Sequence, residues 1–216
     1  MVFSSSAAVY GAHSPMPVQE RTRLQPESVY GFTKVQGEQM LDWMARQRGW
    51  SVISLRYFNP VGAHPSGRIG QPVEAAGSLM ARALLALSRG HAAPLTVFGT
   101  DYETPDGTCL RDYIHIRDLS RAHLVALTGL QEPGHHIYNV GSGRAHSVRQ
   151  VLATCSRVTG RPIAHEDGPR RPGDMPIAVA DPTAFADDLG FRTELGLDEM
   201  VASAWRWWTL NPEGYP

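Results

Sequence analysis

Tyr30 and Lys34 stand four residues apart in Tyr30-Gly31-Phe32-Thr33-Lys34, a spacing that stacks two side chains on one helix face. An ammonium beside a phenol favours the phenolate, which a tyrosine needs if it is to act as a base near neutral pH. A free tyrosine has a pKa of about 10, and bringing it to ~7 takes roughly 4 kcal/mol. One cation at ~6 Å and an effective dielectric of ~20 supplies about 2.8 kcal/mol. Lys34 alone falls short, so the pattern calls for a second positive charge. Upstream, Ser4, Ser5 and Ser6 follow the apolar Val2-Phe3. They mark the C-terminal edge of a strand, where open α/β sheets gather their ligands.

The elements that must hold these groups can be read from the pattern. Residues 11–28 are rich in Pro and polar side chains and form a loop. A helix is expected from about Ser28 to Arg48, with Val35, Met40, Leu41, Met44 and Ala45 at helical spacing and Gly49 as its stop. Ser51–Phe58 reads as a buried strand broken by Asn59-Pro60. Together these make a βαβ unit of a doubly wound sheet. Residues 62–77 form an irregular loop before a helix at about Ser78–Arg89, and Leu95–Phe98 is a short strand. Asp118 is expected to cap a helix Leu119–Leu130. A strand Ile137–Val140, a helix near Ser147–Thr159 and an amphipathic helix near Leu197–Thr209 complete the reading. No internal repeat or low-complexity segment is present.

Further segments accompany the serine strand and the Tyr-Lys helix in a fixed order. They are Arg56-Tyr57-Phe58-Asn59-Pro60-Val61-Gly62-Ala63-His64-Pro65-Ser66-Gly67, Phe98-Gly99-Thr100-Asp101-Tyr102, Asp106-Gly107-Thr108, Arg111-Asp112-Tyr113-Ile114-His115, Tyr138-Asn139-Val140-Gly141 and Arg170-Arg171-Pro172-Gly173-Asp174. A Trp-rich end closes in Asn211-Pro212-Glu213-Gly214-Tyr215. The ordered set, covering essentially the whole chain, resembles the extended short-chain dehydrogenase/reductase family, and within it the UDP-glucose (UDP-galactose) 4-epimerases. The resemblance implies an α/β fold: a remnant of a doubly wound Rossmann-type parallel sheet plus a smaller α/β nucleotide-sugar-binding domain. Residues 1–61, joined by the helix at about 118–130, would belong to the NAD-binding domain, and 62–216 mainly to the UDP-sugar domain. The sequence contains no GxxGxxG or GxGxxG turn, which in that family cradles the cofactor pyrophosphate. Four further strand-helix units of ~30 residues each are therefore expected upstream of Met1. Without them the Val2-Phe3 strand is expected to be an exposed edge, prone to association.

Under this resemblance NAD is the cofactor and its oxidised nicotinamide supplies the second charge. Tyr30 is the base for the sugar 4-hydroxyl, Lys34 lowers its pKa and binds the cofactor ribose, and Ser6 hydrogen-bonds the reacting hydroxyl. Ser4 and Ser5 are strand-end or cofactor contacts, and Tyr57 and Phe58 line the nicotinamide side or serve as core. Asn59 is a substrate contact. Arg111 and Arg171 match the arginines that hold the diphosphate, for which a guanidinium fork is suited. Arg170 is expected to point away. Asp174 matches the carboxylate on the ribose, Tyr113 lies near the arginines, and Thr96, Val97 and Phe98 flank the uracil.

Three departures from the family pattern stand out. Ala8 replaces a frequent threonine. Gly77-Ser78-Leu79 replaces Asn-Asn-Leu at the start of a helix, where Ser78 can still cap and Ser78 and Leu79 can still face phosphate. Ala178 stands where relatives carry tyrosine or cysteine beside the sugar C2 substituent. No Asp-Glu pair follows the serines, so the dehydratases of the family, which eliminate water with such a pair, fit less well than an epimerase.

Composition narrows the alternatives. The 216 residues carry a formal net charge of -1 with scattered basic residues, so nothing points to nucleic acid or to a membrane surface. No apolar run approaches the ~20 residues of a membrane span. Cys109 and Cys155 lack metal spacing and read as free thiols of a reducing compartment, and the cytoplasm is the expected location. His13, His64, His91, His123, His135, His136, His146 and His165 read as surface or loop residues and His115 as packed. Trp205, Trp207 and Trp208 read as a lid on the smaller domain. The expected partners are a UDP-hexose and, for the full-length protein, a second copy in a homodimer using the Tyr30 helix. Two other readings stay open: a non-catalytic UDP-sugar-binding fragment, and another nucleotide-sugar epimerase or decarboxylase of the same family.

Overall fold

The computed structural model describes residues 1–90, 93–129 and 132–215. Strand β1 (Val2–Ser6) leads through a 3-10 turn (Ala7–Val9) and a long loop to helix α1 (Val29–Arg48). Ser28 starts α1 by accepting a hydrogen bond from Gly31 N, and Gly49 ends it in the left-handed conformation at φ 63°. Strand β2 (Ser51–Tyr57) then pairs in parallel with β1 on one side and with β6 (Gly134–Val140) on the other. Among the described strands β1 pairs with β2 alone, so it is an edge.

This first sheet buries apolar residues on both faces. Ile53, Leu55, Tyr138 and Val140 pack against Leu119, Ala122 and Ala126 of α3 (Ile116–Gly129) and against Phe185 of α5 (Thr183–Leu189). Phe185 stacks between Tyr138 and Phe191, with ring centroids 4.9 and 4.8 Å apart. On the other side Val35 of α1 packs with Val9, Tyr10, Val18, Phe58 and Ala180. Gly31 and Gly37 allow α1 its close approach. A Cβ on Gly31 would stand 2.2 Å from the Ala8 carbonyl oxygen, and one on Gly37 2.6 Å from the Phe3 ring.

A second core lies among α2 (Leu79–Ser88), α4 (Val148–Thr159) and α6 (Leu197–Leu210). Trp207 and Trp208 form its centre at 1% exposure each, so they are core rather than the expected lid. β5 (Leu110–His115) connects the two cores, pairing with β3 (Asn59–Val61), β7 (Ala145–Ser147) and β9 (Ile177–Ala178). A separate pair joins β4 (Leu95–Phe98) to β8 (His165–Gly168). The first sheet thus takes β6 and α5 from the later chain in addition to α3.

Several expectations need correction. β2 ends at Tyr57, ahead of Asn59-Pro60 as expected, but those two residues open a further strand, β3, whose partner β5 belongs to a different sheet. Asp118 lies in the first turn of α3 rather than at its cap, and its buried carboxylate accepts from the backbone N–H groups of Glu194 and Leu195. Met40 faces outward at 69% exposure. His135 is not a surface residue: its side chain is 3% exposed and its ring is 2.7 Å from Ser54 Oγ. His123 lies over the sheet instead of in a loop, with Nε2 3.2 Å from Ser4 Oγ. Cys109 and Cys155 are free and buried. His91 and the expected helix end at Leu130 lie outside the described residues. No helix among the described residues is long and apolar enough to cross a membrane.

Candidate active site

The C-terminal ends of β1 and β2 and the first turn of α1 converge on one cavity. It is lined by Ser6, Ala8, Tyr10, Tyr30, Tyr57, Phe58 and Ala178, among others. Ser6 Oγ accepts from Ala8 N at 3.2 Å, which orients the hydroxyl and leaves its own proton free to donate. Tyr30 is 52% exposed at the cavity mouth. Lys34, one turn later, donates from Nζ to the Ser4 carbonyl at 3.0 Å, and Nζ lies 5.4 Å from the Tyr30 ring centroid. The close packing of Gly31 on Ala8 is what sets the Tyr30 turn beside Ser6.

A second cavity, of about 350 Å³, lies between the first turn of α2, β4 and β5. Asn59, Ser78, Leu79, Thr96, Phe98, Arg111, Tyr113, Arg171 and Asp174 line it. The two cavities share Asn59, Pro60 and Arg111, so they abut at the start of β3. Asn59 Nδ2 donates to the Asp112 carbonyl at 2.7 Å, leaving Oδ1 as an acceptor. Arg111 is fixed by two carbonyls, of Leu110 at 3.0 Å and Met175 at 2.7 Å, and its other nitrogen is 3.4 Å from Asp174 Oδ1. The Arg171 guanidinium lies 3.9 Å from the Phe98 ring centroid. Burial pushes the Tyr113 phenol up to about 12, so it remains a neutral donor across the working pH range.

Beneath the first cavity lies a buried ion pair. Glu38 and Arg56 have side chains 4% and 2% exposed. Glu38 accepts from Arg56 through both carboxylate oxygens and from Ser5 Oγ. Arg56 Nη1 reaches Tyr10 Oη at 2.9 Å, and Tyr10 donates to Asn139 Oδ1 at 2.8 Å. Burial raises the Tyr10 phenol despite the adjacent guanidinium. Asp112 serves the second cavity in a similar way. Its carboxylate accepts from Ser142, Gly143 and Ala180 backbone N–H groups, tying the Gly141 turn and the end of β9 to β5, and burial raises its pKa.

Most of the residues singled out by sequence therefore come together, but four side chains do not line either cavity. Ser5 is fully buried against Glu38, Ser4 faces His123, Val97 is buried, and Lys34 acts from behind Tyr30. Arg170 turns to Asp101 and stacks on Tyr102. Sequence reasoning missed Tyr10, Met175 and Arg82 as lining residues. Arg82 stands one turn after the N-cap Ser78, and that spacing was the available signal.

Comparison with known proteins agrees with this architecture. The model of the "NAD dependent epimerase/dehydratase family" matches residues 1–141. A UDP-glucose 4-epimerase from Yersinia pestis is 44% identical over the whole of this chain, which spans 65% of that relative's length. The solved UDP-glucose 4-epimerase of Bifidobacterium longum in complex with NAD+ and UDP superposes with a TM-score of 0.88 at 38% identity, covering 99% of this chain and 64% of that one. The UDP-Glc/GlcNAc 4-epimerase of Campylobacter jejuni gives a TM-score of 0.79 at 32% identity, covering 95% and 63%. With the family model matching well over half of this chain, and the serine strand, the Tyr-Lys helix and β2 all inside the match, the chain belongs to the NAD dependent epimerase/dehydratase family.

Proposed function

We propose that the two abutting cavities hold a UDP-hexose and that the chain provides the acid–base and nucleotide-sugar parts of a UDP-glucose 4-epimerase. One observation carries the reading: the arginine-lined cavity opens at Asn59 and Arg111 into the cavity of Ser6 and Tyr30. A diphosphate between Arg111 and Arg171 directs the attached hexose towards Tyr30. Thr96 and Phe98 then flank the uracil, with Val97 behind them, and Asp174 accepts from the ribose. The start of α2 at Ser78 and Leu79 faces the phosphates.

The residues at the β1 and β2 ends fit the nicotinamide-ribose portion of NAD. Lys34 is a positioned ammonium, Tyr57 and Phe58 offer apolar walls, and Ser4 and Ser5 occupy the strand end below. The chemistry that NAD supplies when bound is reversible hydride transfer at the sugar C4. Tyr30 takes the proton of the 4-hydroxyl, with Ser6 bridging the hydroxyl to the phenol. The 4-keto sugar is held only through its diphosphate, so it can turn its other face to the same tyrosine, which returns the proton. A carboxylate for eliminating water is absent from both cavity linings apart from Asp174 at the ribose end, which favours epimerisation over dehydration.

The test joins this chain to the glycine-rich N-terminal portion of a relative, adds NAD and UDP-galactose, and separates nucleotide sugars by HPLC. UDP-glucose should form, and Tyr30→Phe should slow it ~10²–10⁴-fold without weakening UDP binding. Near-normal turnover in Tyr30→Phe would remove Tyr30 from the mechanism. A second reading is a UDP-sugar binder without turnover, for which the arginine-lined cavity alone would suffice. It predicts UDP binding with no measurable affinity for NAD by titration of this chain alone. For a soluble enzyme of the cytoplasm, a homodimer is the assembly that best covers the exposed Val29, Phe32, Met40 and Trp43 of α1. A clean monomer in sedimentation at about 50 μM would count against it.

A further inference from the structure

The cavity between α2, β4 and β5 is lined by three arginines, Arg82, Arg111 and Arg171, and by one acidic residue, Asp174. The three arginines are not equivalent. Arg111 is held by the Leu110 and Met175 carbonyls and is paired with Asp174. Arg171 has one face stacked on Phe98, which leaves its N–H edge available. Arg82 is exposed, and no hydrogen bond or salt bridge among the described residues engages it.

Its position on α2 explains where it reaches. Ser78 caps the helix through Ala81 N, and Arg82 follows Ser78 by four residues, on the same face. Side chains on a helix lean towards its N-terminus, so the Arg82 guanidinium extends over the Ser78-Leu79 turn that borders the cavity. Alternative partners for the charge are lacking among the described residues: Arg89, which caps the end of this helix, is bonded to the Pro212 carbonyl and Glu213, whereas none of these bonds engages Arg82. With Asp174 offsetting Arg111, two positive groups of the lining remain uncompensated. A diphosphate diester carries two negative charges, and guanidinium forks match its oxygens.

We propose that Arg82 is a third phosphate-binding residue of this cavity and a determinant of its affinity for the diphosphate of a nucleotide sugar. The proposal rests on reading the cavity as the UDP site, and it adds a contact from α2 where the helix start carries Gly77-Ser78. Arg82 is exposed and outside both cores, so its replacement leaves the fold intact.

The test is isothermal titration of this chain with UDP at several salt concentrations. Arg82→Ala should bind UDP about 10- to 100-fold more weakly, and its affinity should fall less steeply with salt than that of the unaltered chain. Arg82→Lys should lie between the two, because it keeps the charge and loses the fork. Arg46→Ala, which removes an equal charge on α1 far from the cavity, should bind as the unaltered chain does. If the unaltered chain binds UDP and Arg82→Ala binds it equally well, the proposal is wrong. An equal loss in Arg46→Ala overturns it too, since a distant charge then has the same effect. Failure of the unaltered chain to bind UDP overturns instead the reading of the cavity as a UDP site.

Discussion

Replacing Glu38 by alanine probes how the helix that carries Tyr30 and Lys34 is anchored. Glu38 lies two turns after Tyr30 and one after Lys34, and it is the carboxylate to which Arg56 and Ser5 are bound. Its loss strands a guanidinium with a side chain only 2% exposed and frees Ser5, which is fully buried. Breaking a buried pair by removing one partner costs about 3–5 kcal/mol, mostly the penalty of an uncompensated charge. For a chain of this size each kcal/mol shifts Tm by roughly 2–4 °C, so a fall of roughly 6–20 °C is expected. Removing both charges in Glu38→Met with Arg56→Met should recover much of the loss, because the desolvation penalty then disappears. Recovery stays incomplete, since buried Ser5 loses its Glu38 acceptor and the Glu20 carbonyl its Arg56 donor, at about 1–3 kcal/mol per unsatisfied group. The assay is urea unfolding followed by circular dichroism for both single variants and the double. A Glu38→Ala loss below about 1 kcal/mol, or losses that simply add in the double variant, would refute the argument that the pair acts as a unit.

Ala178 lines the same cavity as Ser6 and Tyr30, so Ala178→Tyr should obstruct an acetamido group on the hexose. Titration should find UDP-N-acetylgalactosamine bound within a few-fold of UDP-galactose by the unaltered chain. It should be bound about 5- to 150-fold less well than UDP-galactose after the substitution, from an overpacking cost of ~1–3 kcal/mol. Rejection of the acetylated sugar by the unaltered chain would show that Ala178 is not the gate. Stability should also fall below neutral pH. Burial depresses His135 below its ordinary 6.5, more than Asp42 and Glu38 raise it or than Arg56 and His136 add. His115 and His146 are depressed likewise, by burial first. A depressed histidine contributes stability that is present above pH 6.5 and is lost as pH falls towards its folded-state value. Denaturation at pH 7.5 and 5.5 should therefore show a weaker fold at 5.5, and His135→Gln should reduce the difference; an unchanged difference would clear His135 of this role.

Legibility from sequence followed the range of the interaction. α1 was readable because its limits are local: Ser28 caps it, Gly49 ends it and the Tyr30–Lys34 spacing is a property of one helix. Ser78 and Ser147 gave the starts of α2 and α4 for the same reason. β5 was hidden because Arg111, Asp112 and His115 look polar, although Asp112 and His115 are buried by partners on distant segments. Asp118 resembled a cap, yet its acceptors are filled by residues 194 and 195, which no local pattern reveals. His135 and Trp207 were misjudged alike: one is enclosed by β2 and α1 and the other by α2 and α4, contacts that only the tertiary fold creates. At the site, the arginines, Asn59 and the Tyr-Lys pair were found through motif order. The inward turn of Ser5 and the place of Arg82 in the cavity lining depend on contacts between distant segments.

The position of a bound UDP-hexose decides most directly whether the two cavities form one site. A crystal structure of this chain with UDP-galactose measures it in one step. The diphosphate should lie between Arg111 and Arg171, with the hexose passing Asn59 and its C4 hydroxyl within about 3 Å of Tyr30 Oη or Ser6 Oγ. A sugar directed away from Tyr30, or a nucleotide bound outside both cavities, would contradict the account.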